Sequence, residues 1–224
     1  VDKKEGKIRG RKDATVVDLP GIYSLSPYTP EEVVSRNFLL QEHPDGIINV
    51  VDATTIERNL YLTLQLLELD MPMVIALNMM DEVKENGDSI DVKALESALG
   101  VPVVPIAASK NQGMDELAQR VLAMGRTKQR PTRHHVCGGP MQQALDEAAA
   151  VVAGNVRGTA YSPMFAAVKL IERDPLARDA LGVTPEQQER IEVIAQRMER
   201  VMDTDRDAAL ADMRYSYIEA LCGK

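Results

Sequence analysis

Several kinds of residue and pattern are scarce in this sequence, and each shortage excludes a class of protein. Two cysteines among 224 residues are too few for a disulfide framework, which indicates a reducing compartment. The longest apolar runs, such as Met71 to Leu77, are strand-sized, and none approaches the ~20 residues with which a helix crosses a bilayer. The formal net charge of -8 and the lack of a long basic run argue against a nucleic-acid partner, because the average field repels phosphate backbones.

What is present is the composition of an ordinary globular protein, with 45% hydrophobic and 27% charged residues. A chain of this length holds one large domain or two modest ones. The composition changes after Gly125, because residues 126–140 are rich in Arg, His, Pro and Gly and lack periodicity, which predicts a linker. We therefore predict one domain over residues 1–125 and a second over residues 141–224.

The first predicted domain alternates between strand and helix patterns. A charged, alternating segment at 7–18 predicts a hairpin that ends in the apolar strand Ala14 to Asp18. Further buried strands are predicted at 47–52, 73–78 and 101–107, and amphipathic helices at 57–69, 92–99 and 114–124. This order is typical of an α/β domain with a mostly parallel sheet covered by helices, in which ligands bind beyond the carboxyl ends of the strands.

Beyond the predicted linker the sequence shows helical patterns alone. They cover residues 142–153, 163–173, 185–202 and 207–221. The second domain is therefore predicted to be small and all-α.

The first polar motif is Asp18-Leu19-Pro20-Gly21, which follows the strand of the predicted hairpin. In this D-x-x-G pattern the Asp can hold a magnesium ion through water, and the glycine amide lets a terminal phosphate approach closely. An ordinary strand-to-loop turn gives the same spacing, so the motif alone leaves both interpretations open. Asp18 and Gly21 are thus candidate magnesium- and phosphate-binding residues.

The second motif, Asn78-Met79-Met80-Asp81, closes the predicted strand 73–78 and has the N-x-x-D form of guanine recognition. A carboxylate accepts hydrogen bonds from both the ring N–H and the exocyclic amine of guanine, a pair of donors that adenine does not offer. Asp81 is therefore the candidate specificity residue, and Asn78 is expected to help hold the base. Met79 stands where many GTPases have Lys, so its aliphatic stem can cover the base but brings no ammonium group.

The third motif is the weakest and consists of Ala107, Ala108 and Ser109 after the last predicted strand. GTPases carry a Ser-Ala-Lys-like loop in this place, and a backbone amide of that loop meets the guanine oxygen. Ala107 replaces the usual Ser, so the prediction is limited to a backbone role for Ala108. All three motifs follow predicted strands, with helices between them, in the order that a G domain requires, and each supports the others for that reason.

The sequence around these motifs closely resembles one family. The segments that carry the resemblance are Val17 to Leu25, Asn49 to Ala53, Glu57 to Leu66 and Ala76 to Asp81. They are similar to the G domain of bacterial ferrous iron transport protein B (FeoB), and this resemblance covers residues 1–125. Arg214-Tyr215, with Ile218 to Cys222, is similar in a looser way to the end of that family's helical domain.

The resemblance implies a fold, a set of ligands and a location. The fold is a P-loop-NTPase-like (Ras-like) G domain followed by a helical domain. Both lie on the cytoplasmic side of the bacterial inner membrane. In the full-length protein they are joined to a membrane domain that conducts ferrous iron. The implied ligands are GTP or GDP with Mg²⁺, while a need for K⁺ and the formation of a homo-oligomer stay open. The rival functions are a soluble GTPase of ribosomes or tRNA, which the acidity of the chain disfavours, and a nucleotide-free interaction module.

Two departures from the GTPase pattern concern the phosphates. The sequence contains no G-x-x-x-x-G-K-[ST] loop, whose backbone amides and Lys cradle phosphates. Val1 to Gly6 resembles the stretch that follows switch I in the family, so we expect the phosphate loop to precede Val1 in a longer chain. Ile22 follows Gly21 where Ras-like enzymes place a Gln that orients the attacking water, so no catalytic residue is assigned. The leading hypothesis is a regulatory domain that hydrolyses GTP slowly.

Overall fold

The computed structural model describes residues 4–8, 11–132 and 138–223, without the side chains of 11–13. The chain divides into two compact units, residues 1–134 and 135–224. The segment Val1 to Gly6 and the predicted linker therefore lie partly outside the described residues.

Strands alternate with helices in the described part of the first unit. The strands are β1 (Lys4–Ile8), β2 (Arg11–Asp18), β3 (Ile47–Asp52), β4 (Met73–Asn78) and β5 (Val103–Pro105), and the helices are α1 (Pro30–Gln41), α2 (Ile56–Glu68), α3 (Met80–Glu85), α4 (Val92–Leu99) and α5 (Met114–Thr127). β1 and β2 form an antiparallel hairpin, whereas β3, β4 and β5 form a parallel sheet in that order. The predicted α/β class is confirmed, with the hairpin as a separate two-stranded sheet.

Strand β4 lies at the centre of the three-stranded sheet and is buried on both faces. Its residues 73–77 are each at most 2% exposed, as expected for a central strand of a parallel sheet. On one face Val74 and Ala76 pack against Leu117 and Met124 of α5. The core therefore fixes the end of β4, where the N-x-x-D motif begins.

Strand β5 spans only Val103–Pro105 and is shorter than the predicted strand 101–107, because residues 101–102 and 106–107 lie outside the regular strand. Pro102 and Pro105 lack the N–H groups with which a longer strand would pair. After β5 the chain closes a loop in which Ala107 and Gln112 exchange two backbone hydrogen bonds of 3.1 Å. The alanine motif therefore lies in a tight loop rather than at a strand end.

The second unit consists of helices in its described part, as predicted. They are α6 (Gly139–Val151), α7 (Pro163–Ile171), α8 (Pro175–Ala180), α9 (Pro185–Met202) and α10 (Arg206–Cys222). Their shared core includes Met141, Leu145, Ile191 and Leu210. Among the described residues of the whole chain, no helix has the length and apolarity needed to cross a membrane.

Candidate functional site

The loops that follow β4 and β5 lie side by side, because these strands are neighbours in the parallel sheet. The Ile106 N–H donates to the Leu77 carbonyl at 2.8 Å, and the Met80 N–H donates to the Ile106 carbonyl at 3.2 Å. The Asn78 side chain adds a further hydrogen bond between the two loops, since its Oδ1 accepts from the Ala108 N–H at 3.1 Å. The structure thus brings the second and third sequence motifs together.

The tie between Asn78 and Ala108 refines the predicted role of the alanine loop. Ala107 is 2% exposed, so its methyl group is packed inside the fold, whereas Ala108 and Ser109 are exposed. The Ala108 N–H, which the sequence predicts to meet a guanine oxygen, donates to Asn78 in this structure. The Asn78 amino group donates to no residue that the structure describes, which leaves it available to a base.

Met79 shapes the turn between β4 and α3. Its φ of +65° lies in the left-handed region, which is uncommon for a residue with a long side chain. Such strained residues persist where the surrounding structure holds them, and they cluster at functional sites. Met79 occupies the N-cap position of α3 without a capping hydrogen bond from its side chain, and the proposed covering of a base by that side chain stays a prediction.

Asp81 lies in the first turn of α3 with 13% of its side chain exposed, and its Oδ2 is 2.8 Å from Lys110 Nζ. This hydrogen bond holds the pKa of Asp81 below its ordinary value. Lys110 Nζ also lies 3.0 Å from Glu85 Oε1, and the two carboxylates, Asp81 foremost, raise the pKa of Lys110. At neutral pH the Asp81 carboxylate is therefore ionised and can only accept hydrogen bonds, as guanine recognition requires.

Lys110 is a residue of the site that the sequence analysis missed. The third motif consists of Ala107 to Ser109, and a cation directly follows it in the sequence. The hydrogen bonds between the loops after β4 and β5 place that cation against the N-x-x-D motif, where it meets Asp81. A basic residue next to a motif is a weak sequence signal, because most such residues are solvated.

Asp18 and Gly21 occupy a different place in the fold. Asp18 ends β2 in the hairpin, and its exposed carboxylate makes no hydrogen bond with any described residue. A Cβ at Gly21 would meet no atom within 4 Å, and its φ is not positive, so the polypeptide itself does not require glycine there. Neither residue shares a hydrogen bond with the N-x-x-D or alanine loops in the described part of the chain.

The loop that follows Gly21 is anchored on α2. Gln65 of α2 is 1% exposed, and its Oε1 accepts from the Leu25 N–H at 2.6 Å and from Ser24 Oγ at 3.2 Å. Leu25 is fully buried, which holds this end of the loop in the core. Ile22 lies between the exposed Gly21 and this anchor, and its aliphatic side chain carries no group that can orient a water molecule.

The Asp18 carboxylate fits a magnesium ion that is bound together with a nucleotide. It offers the hard oxygen ligands that Mg²⁺ prefers, and such sites combine one or two carboxylates with waters and phosphate oxygens. By contrast Asp52, at the end of β3, is already engaged, because its Oδ1 accepts from the Thr54 N–H at 2.9 Å and from Thr54 Oγ1 at 2.7 Å. These bonds, the hydroxyl first, lower the pKa of Asp52. Of the two strand-end aspartates, Asp18 is the one with a free carboxylate among the described residues.

The fold and the site together define a class of protein. A parallel α/β sheet carries an N-x-x-D loop tied to the loop after the next strand, and a D-x-x-G loop follows the hairpin. This arrangement is that of a Ras-like G domain, here followed by a helical unit.

Comparisons with known proteins narrow this class to one family. A family model described as ferrous iron transport protein B matches residues 1–121, and one described as the FeoB cytosolic helical domain matches residues 138–224. The chain is 40% identical over 233 residues to an Fe(2+) transport protein A/Fe(2+) transporter FeoB fusion protein of Porphyromonas gingivalis. It is 33% identical over 228 residues to the Fe(2+) transporter FeoB of Escherichia coli strain K12. The chain therefore belongs to the ferrous iron transport protein B (FeoB) family.

The comparisons also show which part of such a protein the chain represents. The two matches cover 97% and 99% of this chain but 27% and 28% of the relatives. Among solved structures, the chain is similar to NFeoB from S. thermophilus bound to GDP.AlF4- and K+, with a TM-score of 0.92, 38% identity and coverage of 100% of this chain and 86% of that one. It is also similar to mGMPPNP-bound NFeoB from S. thermophilus, with a TM-score of 0.89, 38% identity and coverage of 100% and 83%.

Proposed function

We propose that this chain binds guanine nucleotide and slowly hydrolyses GTP as the regulatory G domain of a bacterial ferrous iron transporter. The observation that carries the proposal is the junction of the loops after β4 and β5, where an ionised Asp81 and the amide of Asn78 lie against the 107–110 segment. A carboxylate in this place accepts both donors of the guanine edge and rejects adenine, which lacks that pair.

The phosphate side of the proposed site rests on Asp18 and Gly21. Asp18 would hold Mg²⁺ through water, and the amide of Gly21 would meet the terminal phosphate. The space beside Gly21 is open, since an added Cβ would meet no atom within 4 Å. When bound, the Mg²⁺ ion would supply charge stabilisation at the phosphates. With Ile22 in place of the usual Gln, water must be positioned by other groups, so we expect hydrolysis to be slow.

The wider setting of the proposal comes from the relatives. Similar structures contain GDP, GTP analogues and, in one case, K⁺, so K⁺ is proposed as a second cation for this chain. The relatives are Fe(2+) transporters, which supports a membrane domain in the same polypeptide and a place on the cytoplasmic side of the inner membrane.

The domain bounds 1–125 and 141–224, with a linker over 126–140, stay part of the proposal. These relatives disfavour a ribosome- or tRNA-associated GTPase.

Phosphate release from GTP by the full-length protein tests this function. Asp18→Asn keeps the size of the side chain and removes its charge, so Mg²⁺-dependent hydrolysis should fall by about tenfold or more. Asp88→Asn is the matched control, because Asp88 is also an exposed aspartate of the same unit and has no proposed role. Hydrolysis that is unchanged by Asp18→Asn would contradict the magnesium role, and a wild-type protein that binds no guanine nucleotide would indicate the interaction module instead.

A further inference from the structure

We propose that Lys110 is a positioning residue that sets nucleobase specificity, because its ammonium group fixes the Asp81 carboxylate in the orientation that guanine requires. This inference rests on the proposed guanine-binding function and adds a residue to it. Lys110 lies in the 3₁₀ turn Ala108–Lys110, and it reaches Asp81 from the neighbouring loop rather than from within the N-x-x-D motif.

Hydrogen bonds of both its backbone and its side chain hold Lys110 in place. Its backbone N–H donates to the Ala107 carbonyl at 3.0 Å, which holds the main chain in the closed loop. Its Nζ lies between two carboxylates of α3, 2.8 Å from Asp81 Oδ2 and 3.0 Å from Glu85 Oε1. The ammonium group is therefore held between the carboxylate that is proposed to bind the base and a second carboxylate one helical turn away.

Without Lys110, two negative charges on α3 would lie near each other with no cation between them. Asp81 and Glu85 are four residues apart on one helix, and like charges at this spacing repel each other. Met79 brings no cation to the motif. Lys110 offsets this repulsion and restricts the rotation of the Asp81 side chain before a base arrives, so less ordering is needed on binding.

The ion pair leaves the carboxylate able to bind guanine. An ionised carboxylate has about four lone-pair sites on its two oxygens. Lys110 occupies one of them on Oδ2, so acceptors remain for both the ring N–H and the exocyclic amine of the base. The ammonium group therefore orients the Asp81 carboxylate and does not take the place of guanine.

The ion pairs of Lys110 are expected to contribute little to the stability of the fold. An effect of Lys110 on base binding can therefore be distinguished from an effect on folding. Lys110 is 48% exposed, and its two partners Asp81 and Glu85 are 13% and 69% exposed, so the ammonium group stays in contact with solvent, and ion pairs of such solvated groups contribute little to stability. A variant without the ammonium group should therefore fold with an unchanged thermal midpoint and still bind its base less selectively.

The test compares nucleotide binding by full-length Lys110→Met, Lys110→Arg and wild-type proteins. Methionine keeps most of the side-chain length without the charge, so GDP affinity should fall by about fivefold. Affinity for inosine diphosphate, which lacks the exocyclic amine, should fall less, so the ratio of the two affinities decreases. Lys110→Arg retains a charge-assisted hydrogen bond and should stay within about twofold of wild type.

Lys84→Met is the matched control, because it removes the same charge from an exposed lysine of α3 and should change neither affinity. Equal GDP affinity and an equal ratio in the wild-type and Lys110→Met proteins would overturn the role of Lys110 while leaving guanine binding intact. An Arg variant that behaves like the Met variant would also overturn it. A wild-type protein with no preference for GDP over ADP would instead overturn the proposed function.

Discussion

Asp81→Asn should lower the affinity of the full-length protein for GDP by about 100-fold or more, because buried donors and acceptors that lose their partners discriminate strongly. The asparagine amide presents an N–H group where guanine also presents one. Xanthine has a carbonyl in place of the exocyclic amine, so the new amide can donate to it, and affinity for xanthosine diphosphate should rise. Titration with fluorescent derivatives of the two nucleotides measures both changes.

Asp115→Asn is the control for this substitution. Asp115 occupies the first turn of α5 as Asp81 occupies the first turn of α3, so the two changes have similar effects on the helix ends. The control should retain wild-type GDP affinity. If Asp81→Asn retained it too, the assignment of Asp81 as the specificity residue would be wrong.

Gly113→Ala should destabilise the first unit by about 3 kcal/mol. Gly113 has a φ of +74°, and an added Cβ would lie 2.4 Å from the carbonyl oxygen of Pro105. The obstacle is backbone of the neighbouring strand, which cannot move aside as a flexible side chain would. Urea unfolding of the 224-residue chain measures the loss, and hydrogen exchange of peptides from β4 to α5 locates it.

Gly87→Ala separates the two causes of this destabilisation. Gly87 also has a positive φ, of +81°, but an added Cβ would meet no atom within 4 Å. Its substitution should therefore cost only the conformational penalty of about 1 kcal/mol. Equal losses in the two variants would show that the close approach to Pro105 does not determine the path of the alanine loop.

The parts of the fold that the sequence predicts well are those where apolar residues decide the structure. Strands β3 and β4 and helices α4 and α9 have the predicted bounds, because long apolar or amphipathic patterns mark them. Helix α1 was missed because its buried residues include the polar Ser35 and Arg36, which produce no apolar periodicity. Its N-terminal signal was nevertheless present, since Thr29 and Glu32 form a capping box around Pro30. The short helices α3 and α8 were also missed.

The candidate site also contains residues that the sequence predicts and residues that it does not. Asn78 and Asp81 were identified from a motif, because their spacing and their place after a strand are visible in the sequence. The link from Asp81 to Lys110 depends on which loops the sheet brings together, so it becomes visible only in three dimensions. The left-handed conformation of Met79 was also beyond prediction, since nothing in a methionine side chain favours it.

The central claim is that the loops after β4 and β5 recognise guanine. The most direct test is competition of unlabelled GDP and ADP against a fluorescent guanine nucleotide bound to the wild-type full-length protein. GDP is predicted to displace the label at a concentration about 100-fold lower than ADP. Equal displacement by the two nucleotides would contradict the claim.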